Sequence, residues 1–392
     1  MRIGLDAKRA FLNKAGLGNY SRVLINGLQH ISSHSELYLF SAYTNPDLAA
    51  LLSTPYTLIQ PDTLLTRMFP ALWRTFGIAA LNEKYNLDIY HGLSSEMPVI
   101  SPQRKTRYVV TVQDVLFAHR KEQFPLIDRM MYRHKVAYAM QHADAVITNS
   151  EAVRKDLKVL FPSEVPVYVI YQAADDVFNR IISLGDKKAV LQRYGLPSGY
   201  ILQVSSFYPR KNHQLTLRGF AGIAERIPHH LVFVGREGDQ HRYIRAEAES
   251  LGIGNRLHIL EHVPVQDLPA LYQSAALSVF PSSDEGLGIP VLESMISGTP
   301  VITMRGTSME EQAGKAAGYV ESGDDIEGMS GIMLKLILDN TLQNQYIQSG
   351  LERAALFSSD NYIRNVLQVY EDVLSRSQSR KYIRSSAEGM RQ

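Results

Sequence analysis

Residues 277–304 read LSVFPSSDEGLGIPVLESMISGTPVITM, and their order predicts a buried strand, a small-residue loop, a short helix and a second strand. Leu277–Phe280 is the first strand. The helix opens at Pro290, where a missing N–H costs nothing because the first N–H groups of a helix have no partner anyway. Gly298 suits the left-handed end of that helix, and the second strand starts at Pro300. Glu285 in the loop and Glu293 one turn into the helix bracket the helix start. A strand followed by a helix N-terminus is where phosphates bind in α/β proteins. Carboxylates do not bind phosphate, but a carboxylate accepts hydrogen bonds from two adjacent hydroxyls, as a sugar or a ribose presents them. Each glutamate alone also reads plainly, Glu293 as a first-turn acid on the helix dipole and Glu285 as a solvated loop residue. Gly286, Gly288 and Pro290 between them favour the ligand reading.

The segment EGLGIPVLE, preceded by FPS and followed by SGTPV, resembles the E-x7-E signature of retaining glycosyltransferases of family 4. The resemblance implies the GT-B fold, an α/β architecture of two Rossmann-like β/α/β domains facing each other across a cleft. It also implies a nucleotide-diphosphate sugar as donor, bound through Gly286, Leu287, Gly288 and Glu293, with Glu285 holding sugar hydroxyls at the reacting centre.

The bulk properties agree with a two-domain enzyme. At 392 residues the chain is long for one core. It is 45% hydrophobic and 20% charged, as ordinary globular proteins are. A net charge of +2 gives no ground for nucleic acid as a partner. With no cysteine there is neither disulfide nor cysteine metal site. The opening MRIGLDAKRAF lacks the apolar run of a signal peptide, and no run of about 18 apolar residues suggests a membrane span. The expected location is cytoplasmic, with peripheral contact at the inner membrane face as an option carried by basic segments.

Along the first half, Arg2–Asp6 is a strand, followed by AKRAFLNKAGLGNY and a helix carrying Tyr20, Val23, Leu24, Leu28 and Ile31. Gly16 and Gly18 fall where a ligand can approach the backbone. They lack the rest of a dinucleotide fingerprint but resemble the family's glycine loop beside the donor diphosphate and acceptor; ordinary turn glycines are the alternative. Strands follow near Leu37–Phe40, Asp88–His91, Arg107–Val112 and Ala145–Thr148, an alternation with helices that argues a parallel sheet. A helix near Leu64–Leu81 carries Leu65, Met68, Phe69, Leu72, Trp73 and Phe76, with Arg67 and Arg74 two turns apart. Such a stripe usually faces the core; contact with anionic lipid is the alternative. Gln113 and Asp114 lie just past a strand end, where α/β enzymes place ligands. The family commonly has a histidine–aspartate pair there, so Gln113 is a departure. Asp114 is assigned to the catalytic set, and both residues to acceptor binding. His119 reads as a surface or packing residue, and Ser150 as a helix N-cap. The strand Val167–Tyr171 leads into QAADDVF, which resembles the family's interdomain hinge.

In the second half, the strand Tyr200–Val204 precedes a loop that delivers Arg210 and Lys211. Adjacent surface cations are usually only solvated. In the family an arginine and a lysine at this place clamp the donor diphosphate, and the resemblance assigns both to catalysis. The departing nucleoside diphosphate gains about two negative charges that must be stabilised. No Asp-x-Asp motif for a metal occurs in the chain. A metal-independent reaction with no cofactor is therefore expected, the cation role falling to Arg210, Lys211 and the helix dipole after Gly288. By resemblance, the nucleotide base is covered near Val263 and Leu268, and Gly306, Thr307 and Glu311 close over the donor; Glu311 as a plain helix-start acid is the alternative.

These readings give a domain at 1–175 for the acceptor, completed by a crossover helix at 361–378, a donor domain at 176–360, and a basic tail at 379–392. The last helix is expected over Tyr362–Leu374, with a loose tail from Ser375 carrying Arg376, Arg380, Lys381, Arg384 and Arg391. The expected function is retaining hexosyl transfer to a saccharide or lipid-linked acceptor in cell-surface polysaccharide synthesis. The segments GLDAKR…GLGNY and VQDVLFAH look most like bacterial mannosyltransferases, which points first to GDP-mannose. UDP-glucose or another UDP-sugar is the alternative donor. A non-catalytic sugar-nucleotide-binding subunit, a UDP-sugar 2-epimerase and a Rossmann oxidoreductase are the rival functions.

Overall fold

The computed structural model describes residues 1–392 except 15, 122–123, 236–239 and 390–392; the side chains of 240 and 377–389 lie outside the description. The chain forms two compact units, one of residues 1–173 with the segment from Ser359 onward, the other Ala174–Ser358.

The first unit is built on seven parallel strands: β1 (Arg2–Asp6), β2 (Glu36–Phe40), β3 (Thr57–Ile59), β4 (Ile89–Gly92), β5 (Arg107–Val112), β6 (Ala145–Thr148) and β7 (Val167–Val169). Their order is β3-β2-β1-β4-β5-β6-β7. All-parallel sheets are covered on both faces, which is why these strands are nearly continuous apolar runs. On one face, Ile3, Leu5, Leu39, Ile89 and Val109 pack with Tyr20, Leu24, Ile25 and Leu28 of the helix Gly16–Ile31. Ile363, Val366, Tyr370 and Val373 of the last helix join that same core. A Cβ on Gly27 would come within 2.5 Å of Ile363 Cγ1, so only glycine allows the two helices this approach. On the other face Val110, Val112 and Val146 pack with Val136, Ala139 and Met140 of the helix Leu126–His142, and with Val153 and Leu157. Each such fully buried side chain stabilises by about 1.5–3 kcal/mol before entropy is counted. One polar network crosses the sheet. His91 on β4 bonds Tyr370 Oη through Nδ1 and Thr111 Oγ1 through Nε2, both at 2.7 Å, and Tyr20 Oη donates to Thr111 at 2.9 Å. Burial lowers the His91 pKa to about 3, so the ring is neutral.

The second unit has six parallel strands: β8 (Tyr200–Val204), β9 (His230–Gly235), β10 (Leu257–Glu261), β11 (Leu277–Phe280), β12 (Val301–Met304) and β13 (Ala317–Val320). Their order is β10-β9-β8-β11-β12-β13. In each unit the chain builds one half of the sheet outward and then returns to start the other half. The reversal falls between β1 and β4 in the first unit and between β8 and β11 in the second. Ligands of doubly wound sheets bind outside the carboxyl ends of the strands at this point.

Several expectations are corrected. The helix expected over Leu64–Leu81 is broken into Leu64–Met68, Pro70–Leu72, a π-helical turn Trp73–Gly77 and Ile78–Lys84. Pro70 lacks the N–H that continuity requires. The stripe expected to face the core is exposed: Leu65, Met68, Phe69, Leu72 and Phe76 all lie at the surface, and only Trp73 is buried. Gly16 and Gly18 sit in the first turn of a helix that begins at Gly16, not in a loop ahead of it. The structure also holds β3, β13, the helix Leu126–His142 and the helix Leu184–Arg193, for which the sequence analysis has no element. The last helix runs over Ser359–Gly389, so the backbone from Ser375 to Gly389 is helical where a loose tail was expected. Arg380, Lys381 and Arg384 have side chains outside the description, as does the whole of Arg391. Among the described residues no helix is long and apolar enough to cross a membrane.

Candidate active site

The second unit's strand-order reversal is formed by two loops, one after β8 and one after β11. They are tied together by Ser283 N and Ser282 Oγ, which donate to the Arg210 carbonyl at 2.9 and 3.1 Å. Into this junction point Arg210, Lys211 and Glu285. Arg210 Nη1 and Lys211 Nζ both donate to Glu285 Oε1, and Ser282 Oγ donates to the same oxygen at 2.7 Å. Arg210 Nη1 also reaches the Asp284 carbonyl at 3.2 Å. Lys211 is buried, its Nζ lying 4.8 Å from the centroid of the Phe280 ring. Burial lowers the Lys211 pKa; Glu285 opposes the shift and Arg210 adds to it.

The backbone fixes these side chains. Asn212 adopts φ 54° and its side chain caps the following helix at Leu215 N, 3.3 Å away. Beneath Lys211, Gln203 Nε2 donates to its carbonyl at 2.9 Å and Thr216 Oγ1 donates to Gln203 Oε1 at 2.7 Å. His213 bonds Ser205 Oγ through Nε2 at 3.1 Å, and burial beside the Lys211 charge lowers its pKa to about 3. A neutral ring thus supports the loop. On the opposite side, Ser308 Oγ donates to the Glu285 carbonyl at 2.6 Å. Gly288 stands just before the helix Ile289–Ile296, where a Cβ would meet Met309 Cγ at 2.5 Å. The helix therefore begins one residue before Pro290, and Gly298 closes it at φ 67°.

The remaining candidates have separate partners. Glu293 accepts from Tyr272 Oη at 3.0 Å. Its carboxyl is shielded from water, which pushes its pKa up to about 7; the Tyr272 bond lowers it and the Asp175 charge adds to the rise. Gly286 and Leu287 are buried in the loop. Glu311 lies in the first turn of the helix Ser308–Ala313, and its carbonyl accepts from Arg353 Nη2 at 2.8 Å. Its neighbour Glu310 binds the Gly306 N–H at 2.7 Å and Arg305 at 2.9 Å. Thr307 Oγ1 donates to the Met304 carbonyl at 2.9 Å. Val263 is half-buried after β10, beside His262 at φ 56°, and Leu268 opens the helix Leu268–Ser274.

In the first unit, Gly16 has open space where a side chain would stand, whereas a Cβ on Gly18 would lie 1.8 Å from the Asn13 carbonyl oxygen. Gln113 and Asp114 follow β5; Gln113 Nε2 is buried without a hydrogen-bond partner, and Asp114 Oδ1 accepts from Leu116 N at 3.2 Å. His119 pairs with Asp156 at the surface, and Ser150 Oγ caps its helix at Val153 N, 3.2 Å away. Sequence reasoning missed Ser282, Ser308 and Tyr272. Ser282 lies within the quoted FPS triplet, whereas Tyr272 reaches Glu293 from another helix and carries no local signal. Among the described residues no cluster of three or more acids and histidines suits a metal ion.

Residues 192–353 match the family described as glycosyl transferases group 1. That stretch is a group 1 glycosyltransferase domain, and the protein is a glycosyltransferase. The enzyme is 27% identical to the O-antigen chain mannosyltransferase B of Escherichia coli, over 91% of this chain and 96% of that protein. It is 25% identical to the serotype-specific mannosyltransferase WbdA of Escherichia coli, over 94% of this chain but 47% of that longer protein. Among solved structures, a glycosyltransferase from Rickettsia africae superposes with a TM-score of 0.73 at 16% identity, covering 95% of this chain and 98% of that one. HepE from Anabaena, solved in complex with UDP-glucose, gives 0.69 at 18% identity, covering 96% and 99%. The two parallel-sheet, Rossmann-like units of the enzyme are those of the GT-B fold.

Proposed function

We propose that the enzyme transfers a mannosyl residue from GDP-mannose, with retention and without a metal, to a saccharide or lipid-linked acceptor in cell-surface polysaccharide synthesis. The observation that carries the reading is the convergence of Arg210, Lys211 and Glu285 on the strand-order reversal of the second unit. The mannosyltransferase names of two relatives, one matched over 96% of its length and one over 47%, supply the sugar. In the proposed reaction the bond between the anomeric carbon and the diphosphate oxygen breaks. The acceptor oxygen bonds that carbon on the same face, and its proton passes to the departing diphosphate, with Asp114 orienting the hydroxyl. Arg210 and Lys211 exchange part of their bonding to Glu285 for the diphosphate, whose new charge they offset. Glu285 then faces the sugar hydroxyls, and Glu293 takes the ribose pair. Gly16, Gly18, Val263, Leu268, Gly286, Leu287, Gly288 and Glu311 complete the proposed donor contacts, and Gln113 the acceptor contacts. A UDP-sugar donor is the second reading, favoured by the UDP-glucose bound in HepE. We place the enzyme in the cytoplasm, in peripheral contact with the membrane through the exposed stripe around Leu65 and Phe69.

Calorimetric titration in EDTA with GDP, UDP and ADP tests the donor site. GDP is expected to bind selectively, Arg210→Ala to weaken it at least tenfold, and Glu285→Ala to lower turnover on the order of a hundredfold or more with the fold intact. Unchanged GDP affinity in Arg210→Ala contradicts the clamp, and selective UDP binding replaces the donor.

A further inference from the structure

Glu293 is held from one side only. Tyr272 Oη donates to its Oε2 at 3.0 Å, while Oε1 has no hydrogen-bond partner among the described residues. The glutamate is half-buried rather than enclosed, whereas the tyrosine is 1% exposed. The phenol therefore approaches from the interior and leaves the other oxygen to a ligand. Burial and the neighbouring carboxylate push the Tyr272 pKa far above the ordinary phenol range, so the hydroxyl keeps its proton and stays a donor.

The tyrosine is fixed by its ring and by its backbone. The ring stands edge-on to Phe178, with centroids 5.8 Å apart at 74°. Its carbonyl accepts from Thr299 Oγ1 at 2.7 Å, and the Thr299 carbonyl accepts from Ser294 Oγ at 2.9 Å. Ser294 is the neighbour of Glu293 on the helix Ile289–Ile296, so phenol and carboxylate belong to one frame. Phe178 lies on the turn Asp176–Asn179, capped by Asp175 Oδ1 at Val177 N, 3.0 Å away. Tyr272 and Asp175 are the titratable groups that act on Glu293. On the two other helices packed against this one, Glu310 binds Arg305, and Arg353 binds the carbonyls of Gln312 and Glu311. The Asp175 charge disfavours ionisation of Glu293, and the phenol is the donor that offsets it. A buried tyrosine that needs only a partner takes a backbone carbonyl, as Tyr200 does with Leu271 at 2.6 Å. Tyr272 donates instead to an acid whose charged form burial disfavours.

We propose that Tyr272 is a positioning residue of the donor site, holding one oxygen of Glu293 so that the rest of the carboxylate receives the two vicinal hydroxyls of the ribose. The inference rests on the assignment of Glu293 to the ribose pair, and goes beyond it by naming the group that sets the carboxylate's orientation and charge. An ionised carboxylate offers about four acceptor positions. The phenol fills one on Oε2; one ribose hydroxyl donates to Oε1, and its neighbour to the remaining position on Oε2. Tyr272 touches no reacting atom. It acts on affinity through Glu293, because a donor bonded to a carboxylate favours the charged form that the hydroxyls also need.

The experiment titrates the full chain calorimetrically between about pH 6 and pH 8.5. The ligands are GDP or UDP, whichever the parent binds, and the dideoxy form of the same nucleotide, which keeps the diphosphate and lacks both ribose hydroxyls. The variants are Tyr272→Phe, which retains the ring against Phe178, Glu293→Gln, and the two combined. For the parent, the dideoxy form should bind about tenfold more weakly at the alkaline end, a difference that shrinks as pH falls through about 7. In Tyr272→Phe the nucleotide should lose about fivefold in affinity while the dideoxy form stays within about twofold of the parent. The midpoint of the pH dependence should move up by about half a unit, since the lost hydrogen bond had favoured the charged carboxylate. Adding Tyr272→Phe to Glu293→Gln should change affinity by less than about twofold. A ring-fluorinated tyrosine in place of Tyr272, a stronger donor, should move the midpoint down, and replaces Tyr272→Phe if that chain does not fold. Tyr272→Phe that discriminates the two forms as the parent does, with an unmoved midpoint, overturns the inference and leaves Glu293 on the ribose. Equal weakening of both forms assigns Tyr272 to packing alone and also overturns it. A parent that binds both forms equally removes Glu293 from the ribose, and a parent that binds no nucleotide removes the donor site; either is a failure of the earlier assignment, visible without the variants, and takes the inference with it.

Discussion

At the scale of single residues, Glu285 holds three donors on one of its oxygens. Removing the carboxylate leaves a buried ammonium and a guanidinium without their partner, which costs more than the pair itself contributes. Glu293 is a different case. Its pKa, raised to about 7 by burial, means the folded state holds a proton between the ordinary carboxyl range and pH 7 that the unfolded chain has released. Stability from this group is therefore full at low pH and falls as pH rises through that window, by on the order of 3 kcal/mol in total. Glu293→Gln is expected to be more stable than the parent at pH 8 and about equal at pH 4, read as thermal midpoints across pH. Equal midpoints at pH 8 would falsify the buried neutral acid. Donor binding runs the other way: hydroxyls donate to the ionised form, so GDP affinity of the parent should fall as pH drops from 8 to 6.

At the scale of elements, the exposed segment from Leu64 to Phe76 makes a testable surface. Leu65, Met68, Phe69, Leu72 and Phe76 are all solvent-facing beside Arg67, which suits shallow insertion among anionic headgroups. Leu65→Ser with Phe69→Ser should cut sedimentation with phosphatidylglycerol vesicles several-fold while leaving turnover on a soluble acceptor unchanged. Equal sedimentation sinks the membrane contact. The same segment shows what the sequence carries and what it lacks. Residues 277–304 were readable because each signal is local: a strand, loop glycines, a proline at the helix start and Gly298 at its end. Arg210 and Lys211 were readable from their place after a strand. That they close onto Glu285 was not, since the contact spans two loops. Pro70 marks the break in the sequence, while the apolar spacing on either side of it keeps a helical period. The helix Leu126–His142 buries only Val136, Ala139 and Met140 fully, so its periodicity is too weak to find.

At the scale of the whole molecule, each unit has its own parallel sheet and its own reversal of strand order. The last helix is part of the first unit's core, since Tyr362, Ile363, Val366 and Tyr370 are buried among β1, β4 and the helix Gly16–Ile31. Val366→Asp places a charge where there is no water and no partner, at a cost of several kcal/mol. Hydrogen exchange should then show lost protection across β1, β2 and β4, with β8, β9 and β11 kept close to parent values. Equal loss in both units would mean that they unfold as one.

The position of that helix also sets an order of events on the ribosome. Residues 174–358 emerge as one uninterrupted run containing everything the second sheet needs, while the first sheet, although synthesised earlier, waits for a strip of core encoded some two hundred residues downstream. At roughly 5–20 residues per second that wait lasts on the order of ten seconds or longer. Throughout it, the seat around Gly27, Leu24 and Leu28 stands open on the nascent chain. The half made first is thus the half finished last, and it is the natural client for a chaperone at the exit tunnel.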